Sequence, residues 1–250
     1  MFYNIIASGS KGNATLVGFN NTLILIDMGI TLTKLKEGLL EVNKTIEDID
    51  AVIFTHDHSD HTSGLRFLPQ GKMYALEGTL KGEKTNIAKL DEPFEVKDFI
   101  ITPFKTSHDA INPCGYIIES EKEKLVYVTD TGYILNDTLS LIKNPNYLII
   151  ESNHDIKMLL KTNRPIELKQ RIMSEHGHLC NEDSAIATLE IIGPKTKEVV
   201  LAHLSEEANT PEQAVEAYHK IFAHFNKKID KIILKTASQW HSLKGGHFEN

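Results

Sequence analysis

The sequence predicts a single domain of the mixed α/β (α+β) class, and three observations support this prediction. Short β-branched runs separated by Gly, Asn and Asp dominate the first part of the chain. Apolar residues at helical spacing appear mainly in the later part. The 250 residues contain no repeat, low-complexity tract or flexible linker, and this length is close to the upper limit for one core. We therefore expect one domain over residues 1–250.

The predicted strands follow the β-branched runs. Residues 8–13 are rich in turn formers and Asn20-Asn21 is a turn-type pair, so we expect the first three strands to form sequential hairpins. The predicted strands are residues 2–6, 14–17, 22–27, 51–55, 72–75, 99–104, 116–119, 125–129, 147–150, 198–202 and 231–234.

The predicted helices follow the apolar residues at helical spacing. The first contains Leu32, Leu35 and Leu39 on one face, and the last has Thr210 as N-cap and Pro211 at its first position. The predicted helices are residues 31–42, 156–160, 166–173, 181–192 and 211–225. Residues 236–250, with Trp240, His241 and His247, predict no definite element and are compatible with a helix, a tail or a contact surface.

Composition limits the classes of function. With 41% hydrophobic and 24% charged residues, the chain resembles ordinary globular proteins, and no apolar run approaches the roughly 20 residues of a membrane helix. No export signal is recognisable, and two cysteines are too few for a disulfide framework, so we expect a cytoplasmic protein with Cys114 and Cys180 as buried thiols. The net charge of −7 repels a polyanion unless basic residues or metal ions are concentrated locally.

The chemistry is concentrated in the segment Thr55-His56-Asp57-His58-Ser59-Asp60-His61, directly after a predicted strand. Alternation along extended chain directs His56 and His58 to the same side, and the following turn brings Asp60 and His61 to a neighbouring position. Imidazole and carboxylate groups bind zinc, iron and manganese, so the segment predicts ligands for two adjacent divalent ions. The competing interpretation is a solvated surface loop. Asp57 lies outside the ligand pattern, and we expect it to orient a histidine or a water.

This HxHxDH motif resembles that of the metallo-β-lactamase superfamily, and the resemblance covers nearly the whole chain. It implies a four-layer αββα sandwich, with further ligands at His108, Asp130 and His203, each after a predicted strand. Taken alone, each of these three residues is compatible with a structural role. Carried over position by position, the resemblance implies one ion held by His56, His58 and His108, a second held by Asp60, His61 and His203, and Asp130 bridging them.

Residues 7–14, 151–155, 176–183 and 202–210 resemble the YycJ/WalJ exonuclease branch of this superfamily more narrowly. The resemblance implies a 5′ to 3′ DNA exonuclease. Chemically, two ions roughly 4 Å apart can lower the pKa of a shared water to supply hydroxide and can clamp a phosphoryl group. We therefore expect a metal-dependent phosphodiesterase that uses a dinuclear metal-bound hydroxide, with two ions per chain (zinc or manganese, with iron possible) and DNA as partner. Neither the native metal nor the oligomeric state is readable from the sequence.

Other predicted site residues rest on weaker patterns. Asp60 is counted as catalytic through its ion, and His154 and His178 are candidates for contacting phosphate or protonating a leaving oxygen. The glycine-rich turn places Lys11 and Asn13 where a phosphate is reachable. Residues 154–172 have a local basic excess that is compatible with a DNA groove or with a solvated face. The basic residues of this stretch are Lys157, Lys161, Arg164, Lys169 and Arg171.

Two alternative functions remain open from the sequence. The same metal residues suit a hydrolase of a small phosphodiester, a cyclic phosphate or a thioester. A non-catalytic metal-binding or redox-sensing module is the alternative from another class, because fold does not determine chemistry.

Overall fold

The computed structural model describes residues 1–69 and 71–248, in two compact units. Unit 1 comprises Met1–Phe104, Ala110–Lys124 and Ala237–Asn250, and unit 2 comprises Lys105–Asp109 and Leu125–Thr236. The prediction of a single domain stays a prediction. No helix among the described residues has the length and apolar character needed to cross a bilayer.

Eleven of the fourteen strands in the described part of the chain overlap the predicted runs, and three were not expected. The strands are β1 (Phe2–Ala7), β2 (Ala14–Phe19), β3 (Thr22–Ile26), β4 (Ala51–Ile53), β5 (Met73–Leu76), β6 (Asn86–Ala88), β7 (Phe94–Val96), β8 (Phe99–Lys105), β9 (Cys114–Glu119), β10 (Lys124–Val128), β11 (Tyr147–Glu151), β12 (Glu198–Ala202), β13 (Ile233–Thr236) and β14 (Leu243–Gly246). The helices are α1 (Leu32–Leu40), α2 (Ser59–Thr62), α3 (Asn136–Ile142), α4 (Ile156–Lys161), α5 (Ile166–Ile172), α6 (Asn181–Ile191) and α7 (Pro211–His224).

Both sheets are mixed and seven-stranded. The first has the order β14-β1-β2-β3-β4-β5-β6, and the second has the order β13-β12-β11-β10-β9-β8-β7. Strands β1, β2 and β3 form the predicted antiparallel hairpins, whereas β3 to β6 are parallel. Strands β10 to β13 are also parallel, so their carboxyl ends lie at one edge. The α/β class with two sheets and flanking helices is confirmed.

The C-terminal segment corrects one expectation. Instead of a helix or a tail, Leu243–Gly246 forms β14, which pairs antiparallel with β1 at the edge of the first sheet. The run contains two glycines and its burial does not alternate. The pairing with β1, and not a pattern of its own, therefore defines this strand. The last two residues of the segment lie outside the described residues.

Unit 1 has a core between its sheet and α1. Leu35 and Leu39 of α1 are buried in one cluster with Leu25 of β3, Val52 of β4 and Phe54, which directly follows β4, as the helical spacing predicts. The side chain of Thr31 caps the helix by accepting from the Lys34 N–H at 3.3 Å.

Unit 2 is built around its parallel strands and helices α3 to α7. The Thr210 hydroxyl accepts from the Gln213 N–H at 3.2 Å, and Pro211 is the first helical residue of α7, so both predictions are confirmed. Buried Tyr218 of α7 joins that helix to α6, because its hydroxyl lies 2.6 Å from Ser184 Oγ and 3.0 Å from Thr188 Oγ1.

Candidate metal centre

The predicted ligands of the histidine motif lie together in unit 1 and form the motif cluster (His56, His58, Asp60 and His61). The chain leaves β4 at Ile53, bends on either side of His56, and enters the helical turn α2 after His58, whose backbone is extended. The ring centroid of His56 is 4.6 Å from that of His58 and 4.0 Å from that of His61. Asp60 Oδ2 lies 3.5 Å from His61 Nε2.

A carboxylate that the sequence reasoning missed orients two of these histidines. Asp27 follows β3, is fully buried, and adopts a left-handed backbone conformation with φ of 59°. Its Oδ2 lies 2.8 Å from His61 Nδ1, and its Oδ1 accepts from the Thr55 N–H at 2.8 Å. Thr55 Oγ1 in turn lies 3.0 Å from His56 Nδ1. Engagement of Nδ1 is the pattern expected of a histidine that binds metal through Nε2.

Asn13 is part of the same arrangement. The side chain is fully buried, and its Nδ2 lies 3.3 Å from Asp60 Oδ2 and 3.0 Å from His61 Nε2. The Asn13 N–H also donates to the Asp60 carbonyl at 2.8 Å. The structure thus places Asn13 against two predicted ligands. Lys11, at the other end of the turn, is exposed.

The remaining predicted ligands lie in unit 2, in the strand-end cluster (His108, Asp130, Glu151, His178 and His203). Asp130, Glu151, His178 and His203 each offer a ligand atom within 4.8 Å of the others. Asp130 Oδ1 lies 3.6 Å from His203 Nε2 and 3.9 Å from His108 Nε2. Asp130 and His203, which follow β10 and β12, both have a left-handed φ of 55°. This sparsely populated conformation turns each side chain at a strand end, as is common at functional sites.

Glu151 organises the strand-end cluster and was given no role of its own by the sequence reasoning. Its Oε1 lies 2.8 Å from His178 Nδ1 and 3.0 Å from His203 Nδ1. Its Oε2 accepts from two backbone N–H groups, at 3.0 Å from Thr131 and 3.2 Å from Leu179. Burial alone would raise the pKa of Glu151, but the neighbouring His178 and the hydrogen bonds with His178 and His203 outweigh it and lower the pKa.

His108 is held by the loop that precedes α6. Its Nδ1 lies 3.1 Å from the Gly177 carbonyl, and the Asp109 N–H donates to the His176 carbonyl. Burial lowers the pKa of His108, which favours the neutral imidazole that metals bind. A Cβ at position 177 would collide with the Ile172 carbonyl, so a glycine is needed for the loop to approach α5.

The two candidate proton donors differ in their surroundings. The His178 side chain is 15% exposed and belongs to the strand-end cluster. His154 is only 1% exposed, and burial lowers its pKa to about 4. A neutral, buried imidazole is poorly suited to donating a proton near neutral pH, so the geometry favours His178 over His154 for that role.

The structure divides the basic stretch into two kinds of residue. Lys169 is 9% exposed, and its Nζ donates to the carbonyls of Leu160 and Thr162, both at 2.8 Å. Arg164 Nε donates to Glu207 at 2.9 Å, and Arg171 forms a fork with Asp109. Lys157 and Lys161 of α4 are exposed. Two of the five basic side chains are therefore paired with carboxylates of unit 2, and the Lys169 ammonium is bound to carbonyl groups. Among these five described residues, the two lysines of α4 form no such contact.

Asp57 and the cysteines have structural contacts. Asp57 Oδ1 accepts from the Ile111 N–H at 2.9 Å, so it anchors a loop of unit 1. The expectation that Asp57 orients a histidine or a water stays a prediction. Cys114 and Cys180 are buried as expected, and burial raises the pKa of each thiol to about 12. Asp27 and Glu151 share one sequence signal, because each is a carboxylate that ends a run of apolar residues at the carboxyl end of a strand.

Comparison with known proteins identifies the family. The family model described as a beta-lactamase superfamily domain matches residues 22–204. The exodeoxyribonuclease WalJ of Streptococcus pneumoniae is 36% identical over 227 residues, which cover 85% of this chain and 84% of the relative. The exodeoxyribonuclease YycJ of Bacillus anthracis is 35% identical, with 86% of each chain covered. The metallo-β-lactamase fold protein YhfI of Bacillus subtilis superposes with a TM-score of 0.71 at 18% identity, covering 98% of this chain and 99% of that one.

The chain belongs to the beta-lactamase superfamily, and its fold is the α/β metallo-β-lactamase fold. The resemblance seen in the histidine motif is thereby confirmed. The fold and the clusters of histidine and carboxylate groups together define a divalent-metal-binding protein. The number and identity of the ions, and the assignment of individual ligands, stay predictions.

Proposed function

We propose that the protein degrades DNA from the 5′ end by hydrolysing phosphodiester bonds at a centre of two divalent ions. The chain is a metal-dependent hydrolase of the nuclease type, as its family and the exodeoxyribonuclease relatives that match most of its length indicate. The observation that carries the proposal is the orientation of the histidines. In His56, His61, His108 and His203 the nitrogen engaged by a hydroxyl, carboxylate or carbonyl is Nδ1.

The proposed ligand assignment retains the seven residues expected from the family pattern. His56, His58 and His108 would hold one ion, Asp60, His61 and His203 the other, and Asp130 would bridge them. The donor set supports this assignment, because neutral imidazoles and carboxylates are the ligands of zinc, manganese and iron. When bound, such ions polarise a phosphoryl group and lower the pKa of water. Elemental analysis that finds fewer than one equivalent of zinc, manganese or iron per chain after reconstitution would exclude the two-ion assignment.

The residues of the chain have distinct roles in the proposal. Asp27 would fix the tautomer and direction of His61, and Glu151 those of His203. Asn13 would hold the Asp60 carboxylate. In the proposal His178 would hold a proton for a departing oxygen, with Nδ1 engaged by Glu151 and Nε2 directed to the substrate. Near neutral pH, His154 contributes packing and not proton transfer.

The substrate assignment rests on the relatives and on local charge. The net charge of −7 opposes binding of a polyanion, so positive charge must be supplied by bound ions and by exposed basic residues. Lys157 and Lys161 remain candidates for backbone contacts in this proposal, with Arg164 and Arg171 available only if their ion pairs exchange. Lys169 supports the fold of α4 and α5.

The decisive experiment compares three substrates. Single-stranded and duplex DNA labelled at either the 5′ or the 3′ end, and bis(p-nitrophenyl) phosphate, are incubated with the protein and manganese, with and without chelator. Release of 5′-terminal nucleotides first, abolished by chelator, is the expected result. Release from the 3′ end would overturn the polarity, and hydrolysis of the small ester alone would favour the small-phosphodiester alternative.

A further inference from the structure

A cleft of about 350 Å³ in unit 1 combines aromatic and basic side chains, and the proposed metal chemistry does not use it. Its lining includes Trp240, Phe67, Lys11, Lys34 and Arg66. Trp240 is 58% exposed, with the Lys11 ammonium 4.8 Å and the Lys34 ammonium 5.6 Å from its ring centroid. Among the described residues that line the cleft, three are basic and none is acidic. This local charge is opposite to that of the whole chain.

Hydrogen bonds build the base of this cleft. Gln239 is 7% exposed; its Oε1 accepts from the Lys11 N–H at 2.8 Å and its Nε2 donates to the Gly12 carbonyl at 2.9 Å. Lys34 Nζ donates to the Gln239 carbonyl at 2.6 Å. Trp240 is therefore joined to the glycine-rich turn and to α1 through its neighbour, although its ring is exposed. An exposed indole held by such contacts is pre-organised to receive a flat ligand.

The cleft adjoins the motif cluster within unit 1. Gly29 and Ser63 both line the cleft, and Ser63 lies two positions after His61. The Gly29 N–H donates to the Asn13 carbonyl at 2.9 Å. A Cβ at position 29 would collide with the Asp60 carbonyl, so the wall of the cleft packs directly on a predicted ligand.

We propose that this cleft binds single-stranded nucleic acid, with an unpaired base stacked on Trp240 and with Lys11, Lys34 and Arg66 contacting phosphates. The choice of nucleic acid rests on the proposed function. Charge complementarity and the aromatic surface favour this occupant, because base stacking on aromatic side chains combined with basic residues is how single strands are bound without sequence preference. A paired base within a duplex does not expose its face, so the cleft selects unpaired strands or frayed ends.

The single tryptophan of the chain makes the proposal directly measurable. Binding is measured in chelator, so that no cleavage occurs, by Trp240 fluorescence and by anisotropy of a labelled oligothymidylate. An abasic oligomer of equal length supplies the same phosphates without bases. We expect oligothymidylate to quench Trp240 and to protect it from acrylamide, and the abasic oligomer to do neither.

Variants separate stacking from charge. Trp240→Ala should weaken oligothymidylate binding by about 5-fold to 150-fold, the range for loss of one base–aromatic stack, and Trp240→Phe should retain most of the affinity. Phe225→Ala, at an exposed phenylalanine that ends α7, is the matched control and should leave the affinity unchanged. Arg66→Ala, which removes none of the hydrogen bonds that hold Gln239, should reduce the log–log salt slope by about 0.7 for one lost phosphate contact.

Three outcomes would overturn the proposal. These are equal affinity of Trp240→Ala and Phe225→Ala for oligothymidylate, equal binding of the abasic oligomer, and protection of Trp240 that depends only on protein concentration. The last result would identify a second copy of the chain as the occupant. A wild-type protein that binds oligothymidylate through Trp240 but cleaves neither DNA nor the small ester with manganese would refute the proposed activity while supporting this binding site.

Discussion

Replacing Glu151 by Gln tests whether the buried carboxylate sets the tautomers of the strand-end cluster. In the wild type, Oε1 faces Nδ1 of His178 and of His203, while Oε2 faces the N–H groups of Thr131 and Leu179. A glutamine has one oxygen, so either orientation leaves two of these four donors facing an NH₂ group. If the NH₂ group faces the histidines, they must carry their protons on Nε2, the nitrogen needed for metal.

The magnitude follows from these contacts. Loss of an outer partner of a ligating histidine typically lowers metal affinity about 10-fold to 100-fold. Each buried donor that faces an NH₂ group and finds no other acceptor costs about 1–3 kcal/mol of folding free energy. We therefore expect Glu151→Gln to bind zinc or manganese at least about tenfold more weakly and to unfold at lower denaturant concentration in chelator.

The assay is chelator competition for metal affinity together with urea unfolding of the metal-free protein. Glu198→Gln is the matched control, because Glu198 is a buried carboxylate on β12 whose partner is Lys235 Nζ at 2.6 Å. This control should be destabilised without losing metal affinity. Equal metal affinity of the Glu151 and Glu198 variants would refute the tautomer argument, whatever their stabilities.

The remaining predictions use other parts of the chain. Asp130→Ala should reduce DNA hydrolysis far more than Lys157→Ala, because it removes a predicted bridging ligand instead of one screened surface charge; equal loss in a nuclease assay would contradict the bridge. Burial lowers the pKa of His154 to about 4, so the unfolded chain binds the proton first as the pH falls below 6.5. The free energy of unfolding should therefore decrease between pH 6.5 and pH 4, by at most about 3 kcal/mol. In unfolding experiments His154→Asn should remove this part of the pH dependence. Lys169→Met should lower the melting temperature, because it removes the bonds from the ammonium to two carbonyls. Joint replacement of Lys157 and Lys161 by Ala should leave the melting temperature unchanged and flatten the salt dependence of DNA binding. An unchanged salt slope in the double variant would place the DNA elsewhere.

The sequence was sufficient for the elements that carry their own pattern. Strands such as β11 are unbroken apolar runs, and α7 has both a capping threonine and a proline at its first position. Strands β6 and β7 were missed because their residues are largely exposed and neither run has more than three residues. Helix α3 was missed because it has no side-chain cap and only two buried residues.

Prediction of the site was limited in a different way. The histidine motif is compact in sequence, so its four candidate ligands could be predicted together. Asp27 and Glu151, in contrast, contact histidines that are 34 and 52 positions away. No local pattern specifies such pairs. Lys169 shows the opposite error, because a basic residue in a basic run indicates a solvated or anion-binding face, and only the structure shows its ammonium bound to two carbonyls.

The left-handed residues explain why alternation along the strands cannot specify this site. Asp27, Asp130 and His203 each stand one or two positions beyond a strand, with φ between 55° and 59°. The pleat no longer determines side-chain direction there, and each conformation costs about 1–2 kcal/mol for a residue with a Cβ. The conformational cost at Asp27 is offset by its hydrogen bond with His61, and the cost at His203 is offset by its hydrogen bond with Glu151. The same contacts that orient the histidines therefore also hold the backbone in its turn. Loss of the Asp27 or the Glu151 carboxylate should disturb both the predicted metal ligands and the strand ends that carry them.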